Sequence, residues 1–255
     1  MAISQRSGFS LAEMLVAVAL ASIVLGAATR AVLRLGRTVN LQVDRAASSQ
    51  DVRIAAAVIT SELQPLGFDP GTGSDISEAA ERHVVYRGFR STYFTCAKGP
   101  PGSGLVVSQT YLGRRGADPA VDSVMVQNSG EWVAADLTGV GGGTCNDGSQ
   151  GVLLSTAGPL PDAVRLGTPV RVFDTNWLGI YTSRGQWLGA ARLQKARGRW
   201  ARRQPIVGPL TADGLSFEYL AFESSVVRAI RFTIRTRRRG TDRSLTSVVA
   251  LRNSG

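Results

Sequence analysis

The sequence is poor in the residues that most often carry catalysis and metal binding. It holds one histidine, His83, and two cysteines, Cys96 and Cys145, with no Cys-x-x-Cys pair. A structural or catalytic metal site needs several such ligands at close spacing, so we expect no metal and no cofactor. A Ser–His–Asp arrangement would depend on His83 alone. Because no paired acidic residues stand out either, the sequence predicts no enzymatic activity and no catalytic residues.

Lysine is almost absent from this strongly basic chain. The net charge is +10, and only Lys98 and Lys195 among the 29 basic residues are lysines. Arginine keeps its charge and matches phosphate and carboxylate geometry. The runs 192–203 and 237–243 are therefore either solvated loop charge, docking sites for acidic neighbours, or contacts to nucleic acid with Trp200 stacking on bases. The candidate DNA contacts are Arg197, Arg199, Trp200, Arg202, Arg203, Arg237, Arg238 and Arg239.

Proline is absent from Phe9 until Pro65, which favours one long helix ending near residues 64–67. The helix is apolar all round as far as Thr29, long enough to cross a hydrocarbon core of roughly 30 Å. Beyond that point its pattern is amphipathic. The apolar positions at helical spacing are Val32, Leu35, Val39, Val43, Ala46, Val52, Ala55, Ile59 and Leu63.

The remainder of the chain has the pattern of short β-strands. Residues 67–82 and the glycine-rich segments 98–104 and 139–143 are expected to be loops and turns. Strands are predicted at 83–90, 105–112, 121–127, 152–155, 170–174, 178–182, 215–219, 230–235 and 247–252. The last three should form an antiparallel meander whose apolar face covers the amphipathic part of the helix. The predicted fold class is therefore α+β.

The segment Gly8-Phe9-Ser10-Leu11-Ala12-Glu13 runs directly into the apolar sequence. In a secretory signal peptide the cleavage site follows the apolar stretch, whereas here a polar leader precedes it. This order resembles the processing site of type IV prepilins. The resemblance implies that prepilin peptidase removes residues 1–8 and methylates the new amine of Phe9. It also implies a transmembrane and filament-core helix at 9–30, an amphipathic continuation at 31–66 and a β-rich head at 67–255.

Glu13 is the one carboxylate inside the apolar segment. A charge in hydrocarbon is costly, so such a residue usually has a partner and a function. In prepilin-like proteins the partner is the free N-terminal amine, here that of Phe9 or its equivalent in a neighbouring subunit. The resemblance thus implies that Glu13 is a filament-assembly contact. The alternative is an ordinary signal anchor in which Glu13 reaches the headgroups.

The C-terminal third resembles PilW-type minor pilins and the related J-type minor pseudopilins of type II secretion, through residues 208–219, 227–234 and 248–253. The resemblance implies a minor pilin that primes pilus assembly, with a secretion pseudopilin and a DNA-uptake subunit as alternatives. Its partners would be other pilins, prepilin peptidase and the inner-membrane assembly platform. The chain would be a single-pass inner-membrane protein with an exported head, later part of a surface pilus. In that oxidising compartment, an even cysteine count predicts a Cys96–Cys145 disulfide.

Overall fold

A single helix precedes all of the β-structure. The computed structural model describes residues 10–69, 73–99, 104–128, 131–158, 160, 164–221, 226–238 and 241–252. Helix α1 spans Leu11–Leu63 and continues through Gly26 and Gly36 without a break. It ends where expected, with Gln64 as its C-cap and Pro65 directly after it. The predicted helix is confirmed.

The strands that follow α1 are almost all antiparallel neighbours in one large sheet. In chain order they are β1 (Phe68–Asp69), β2 (Gly73–Ser74), β3 (Ile76–Ala79), β4 (His83–Lys98), β5 (Gly104–Ser108), β6 (Leu112–Gly113), β7 (Asp122–Asn128), β8 (Glu131–Thr144), β9 (Gln150–Thr156), β10 (Pro169–Thr182), β11 (Gln186–Gln194), β12 (Arg199–Trp200), β13 (Gln204–Ala221), β14 (Val227–Arg238) and β15 (Thr241–Ala250). One long helix followed by an antiparallel sheet confirms the α+β, pilin-like fold class.

The second part of α1 packs on the C-terminal meander. Its buried residues, Ser48, Val52, Ala55, Ile59 and Leu63, recur three or four positions apart and so lie on one helix face. Val52, Ala55, Ile59 and Leu63 join a cluster with alternate residues of β13, β14 and β15, as the alternation in the sequence predicted. The cluster includes Leu215, Phe217, Ile230, Phe232, Ile234 and Val249. By contrast, the expected apolar positions from Val32 to Val43 are exposed.

A second core lies inside a closed ring of strands. Strand β10 pairs with both β4 and β7, and the order β7-β8-β9-β5-β4 then returns to β10. Each of the six strands contributes buried residues to a cluster in its interior, such as Tyr93, Leu105, Val124, Leu137, Leu154 and Val172. Because each strand in a ring has two neighbours, closure removes unpaired edges. The disulfide is confirmed: Cys96 of β4 joins Cys145, which follows β8, across this ring.

Several strand predictions were wrong in detail. Segment 67–82, expected to be a loop, contains β1, β2 and β3, and strand β11 was missed. The expected runs 170–174 and 178–182 are one strand, β10. The glycines of 139–143, expected to form a turn, lie within β8. At Gly143 the strand has no space for a side chain, because a Cβ atom would lie 2.9 Å from Val106 Cγ1.

Candidate functional site

The N-terminus of α1 is closed by a capping box. The Ser10 amide donates to Glu13 Oε2 at 2.9 Å, and the Glu13 amide donates to Ser10 Oγ at 3.2 Å. This reciprocal pair satisfies two amide groups that a helix start otherwise leaves without partners. The predicted processing residues Gly8 and Phe9 lie outside the described residues. The pairing of Glu13 with an N-terminal amine therefore stays a prediction, and the observed partner of its carboxylate is Ser10.

The first part of α1, residues 11–43, has an apolar surface that no described residue covers. Large apolar side chains from Leu11 to Val43 are exposed on every side, and the most apolar stretch has a mean hydropathy of 2.2. By length and composition, this helix could cross a membrane. The hydroxyls of Ser22 and Thr29 each donate to a carbonyl four residues earlier, at 2.8 Å. These groups thus need no partner outside the helix, which suits an apolar environment.

The C-terminal end of α1 carries a polar cluster that the sequence patterns did not predict. Glu62 accepts hydrogen bonds from the Tyr86 hydroxyl at 2.9 Å and from Arg114 at 2.8 Å, and pairs with Arg90 at 3.4 Å. Burial alone would raise the pKa of Glu62, but Arg90, Tyr86 and Arg114 together hold it below its ordinary value. Burial and the neighbouring Glu62 carboxylate raise the pKa of the Tyr86 phenol well above its ordinary value. The cluster therefore keeps Glu62 ionised and Tyr86 protonated.

Two fully buried carboxylates lie behind Glu62. Asp174 accepts hydrogen bonds from Arg90 Nε at 2.7 Å and from Arg115 at 3.0 Å. Asp122 accepts two hydrogen bonds from Arg115, both at 2.6 Å. Arg90 reaches Asp174 because the β4–β10 register shifts between Ser91 and Phe89, which leaves Arg90 as a bulge residue. A bulge redirects a side chain in this way. In the sequence, the signal for this cluster is that Arg90, Asp122 and Asp174 occupy positions that strand alternation assigns to the interior.

The predicted nucleic-acid contacts separate into two places. Arg199 and Trp200 form β12, which pairs with Leu193 and Gln194 at the end of β11, and Arg197 lies in the turn between them. Arg237 follows Thr236, which pairs with Leu210 of β13. Leu210 in turn pairs with Gln186, the first residue of β11, so Arg237 lies near the opposite end of β11. The rise per residue makes these ends roughly 26 Å apart along the strand. The structure therefore does not bring the two arginine clusters together.

Two of these arginines already have partners within the chain. The Arg203 guanidinium lies 4.4 Å from the centre of the Trp177 ring, and Arg237 forms a forked ion pair with Asp242 at 2.6 and 2.8 Å. Arg202 lines a cleft beside α1. Arg239 and the side chain of Arg238 lie outside the described residues. Arg197, Arg199 and Trp200 are exposed and make no ion pair within the described part of the chain.

Comparison with known proteins identifies the N-terminal segment. The model of the prokaryotic N-terminal methylation motif matches residues 3–29. This match supports the type IV pilin-like family and, in general terms, a type IV pilin or pseudopilin subunit. Such proteins are structural rather than catalytic, are processed by prepilin peptidase and assemble with other pilins. No curated protein and no solved structure matched the chain.

Proposed function

We propose that this chain is a minor pilin, a low-copy subunit that helps to start assembly of a type IV pilus. The observation that carries the proposal is the first part of α1, which has a motif for N-terminal methylation and large apolar side chains that are left exposed. A helix that is apolar all round is stable when other helices or lipid surround it. Lipid would surround the helix while it is inserted in the inner membrane, and other helices would surround it later in the filament core.

The large, non-repetitive head supports a minor rather than a major subunit. Its hydrophobic cores and its disulfide belong to a folded head beyond the exposed first part of α1. In this proposal residues 1–8 are the leader, cleavage follows Gly8, Phe9 is methylated and Glu13 contacts the neighbouring amine. The regions 9–30, 31–66 and 67–255 are then filament core, connecting helix and exported head.

The test is a deletion strain, scored both for surface pili and for proteins released to the medium. Sparse or absent pili with normal protein release is the result expected for a minor pilin. Intact pili with secreted enzymes retained in the periplasm would contradict the proposal and indicate a type II secretion pseudopilin. Restoring the gene on a plasmid should restore pili.

Glu13 can be tested in the same strain. We expect Glu13→Val to insert in the membrane and be cleaved, yet to be strongly depleted from sheared filaments. The matched control is Ser22→Ala, which removes a polar group whose only bond is within the helix. Equal incorporation of both variants would show that Glu13 is not an assembly contact.

DNA binding by the β11–β12 turn is a second candidate function. It is favoured by the placement of Arg197, Arg199 and the exposed Trp200 on one short hairpin, where phosphate contact and base stacking can coincide. The full chain should bind single-stranded DNA with an affinity that falls steeply between low and moderate salt. Affinity that Arg197→Gln with Arg199→Gln leaves unchanged would remove this candidate.

A further inference from the structure

A cleft of about 620 Å³ lies between the end of α1 and the sheet. Val58 and Glu62 of α1 form one wall, and residues of β4, β10 and β11 form much of the rest. The volume falls within the range of about 300–1,000 Å³ that small-molecule sites usually occupy. Apolar walls with a few convergent polar groups are also typical of such sites. Here the polar groups are mainly guanidinium groups, from Arg90, Arg114, Arg115, Arg192 and Arg202.

The charge in and around the cleft is not balanced. Five lining arginines face three carboxylates, those of Glu62, Asp122 and Asp174, so a surplus of two positive charges remains. The carboxylate oxygens are already occupied by the hydrogen bonds described above. An acidic or oxygen-rich ligand would therefore meet donors rather than competing acceptors.

The arginines keep unused donors, because each guanidinium has five N–H groups. Arg192 pairs with Asp174 through Nε, at 3.4 Å. The Arg202 side chain makes no ion pair or hydrogen bond with any described residue. Arg115 Nε is buried and has no hydrogen-bond partner among the described residues. Guanidinium groups bind carboxylate and phosphate oxygens through paired, charge-assisted hydrogen bonds.

Backbone hydrogen bonds hold the arginine-bearing segments in place. The Arg114 amide donates to the Arg90 carbonyl at 2.8 Å, which fixes the segment after β6 against the β4 bulge. The Ala201 amide donates to the Arg192 carbonyl at 2.8 Å, which fixes the residue before Arg202 against β11. Both sides of the cleft are thus formed before any ligand arrives. Preorganisation of this kind lowers the cost of ordering a site on binding.

From these observations we propose that the cleft binds a small soluble anion carrying two or more carboxylate or phosphate groups. A lipid headgroup is not the source, because Glu62 lies roughly 50 Å along the helix from Thr29, the end of the apolar segment. The surplus of two positive charges matches a ligand with at least two negative groups. The proposal does not depend on the role of the chain in a pilus.

The test is calorimetric titration of the full chain in neutral detergent with citrate and, separately, with pyrophosphate. Ionic strength is held constant at about 0.15 M, where exposed charges are screened beyond about 8 Å. We expect at least one of the two anions to bind the wild-type chain. The tighter of the two then identifies carboxylate or phosphate as the preferred chemistry.

A pair of charge-matched variants separates the cleft from general basicity. Arg192→Gln with Arg202→Gln should weaken binding by roughly tenfold or more, since hydrogen bonds to charged groups are lost. Arg165→Gln with Arg184→Gln removes the same charge from exposed positions outside the cleft and should change affinity less than about twofold. Thermal melting of both variants verifies that they fold.

Three outcomes would overturn the proposal. The first is that neither anion binds the wild-type chain. The second is equal weakening in the two double variants, which would indicate diffuse attraction to a basic surface. The third is tighter binding of a tetraglutamate peptide than of either small anion, which would assign the cleft to an acidic segment of a protein partner.

Discussion

The two parts of α1 share one backbone geometry but have opposite surroundings. From Leu11 to Val43 the large apolar side chains are exposed, whereas Val52, Ala55, Ile59 and Leu63 are buried against the sheet. The difference comes from the arrangement of apolar residues rather than their number. As far as Thr29 the helix is apolar all round and has no polar side to turn to water, whereas the apolar stripe from Val52 to Leu63 fits one face of a sheet. The first part is therefore available to partners outside the chain, and the second belongs to the head.

The two glutamates of the helix differ in the same way. Glu13 bonds to Ser10 within its own helix turn. Glu62 instead connects α1 to Tyr86 and Arg90 of β4 and to Arg114 beyond β6. Position along one helix thus decides whether a carboxylate caps its own helix or attaches the helix to the head.

Loss of the disulfide should give the largest change in stability. Replacing both cysteines, Cys96→Ser with Cys145→Ser, should lower the free energy of unfolding of the head by about 4 kcal/mol, because the bond closes a loop of 49 residues. Chemical denaturation of the full chain in detergent, followed by tryptophan fluorescence, measures the loss. The helical signal of the first part of α1 should persist after the head unfolds. Its loss together with the head would contradict the independence of the two parts.

Matched isoleucines test the contrast within α1 directly. Ile59 is 0% exposed and Ile23 is 68% exposed. Ile59→Ala should lower the free energy of unfolding of the head by about 3 kcal/mol, because it leaves a cavity between helix and sheet. Ile23→Ala should change it by less than about 0.5 kcal/mol. Equal losses in the same denaturation experiment would show that the first part also packs on the head.

Matched glutamates should give a smaller, pH-dependent contrast. Glu62→Gln should lower head stability by about 1–2 kcal/mol at pH 7, a moderate loss because Arg90 keeps Asp174 as a partner. The pKa of Glu62 is lowered in the folded chain, so its contribution is complete above the unfolded value and disappears as pH falls through the folded value. The difference between wild type and variant should therefore be full above about pH 5 and decline below pH 4.

Glu13→Gln is the control for this pH experiment, because Glu13 makes no contact with the head. Its unfolding should match the wild type from pH 3 to pH 7. A constant difference between wild type and Glu62→Gln over the same range would refute the ionised cluster at the end of α1.

Local patterns were sufficient for the helix and the C-terminal meander. The absence of proline, the apolar stripe and the alternation in β13, β14 and β15 depend on residues close together in sequence, and all were recovered. The patterns failed where distant strands decide the outcome. The glycines of 139–143 predict a turn, yet they lie in β8. At Gly143 the side chain of Val106 leaves no room for a Cβ atom.

The arginine-lined cleft and its ion cluster could not be predicted from sequence for the same reason. Glu62, Arg90, Arg115 and Asp174 are far apart in the chain, and no period relates them. Only the bulge at Arg90 and the pairing of β10 with both β4 and β7 bring them together.

The residue order alone therefore predicted the helix, its apolar and amphipathic parts and the prepilin-like start, because periodicity and motifs are local properties. The closed ring of strands, the place where the helix meets the sheet, and the separation of the two arginine clusters were decided by the tertiary structure. Each depends on strand register and on contacts between residues distant in sequence, which are settled by packing of the whole chain.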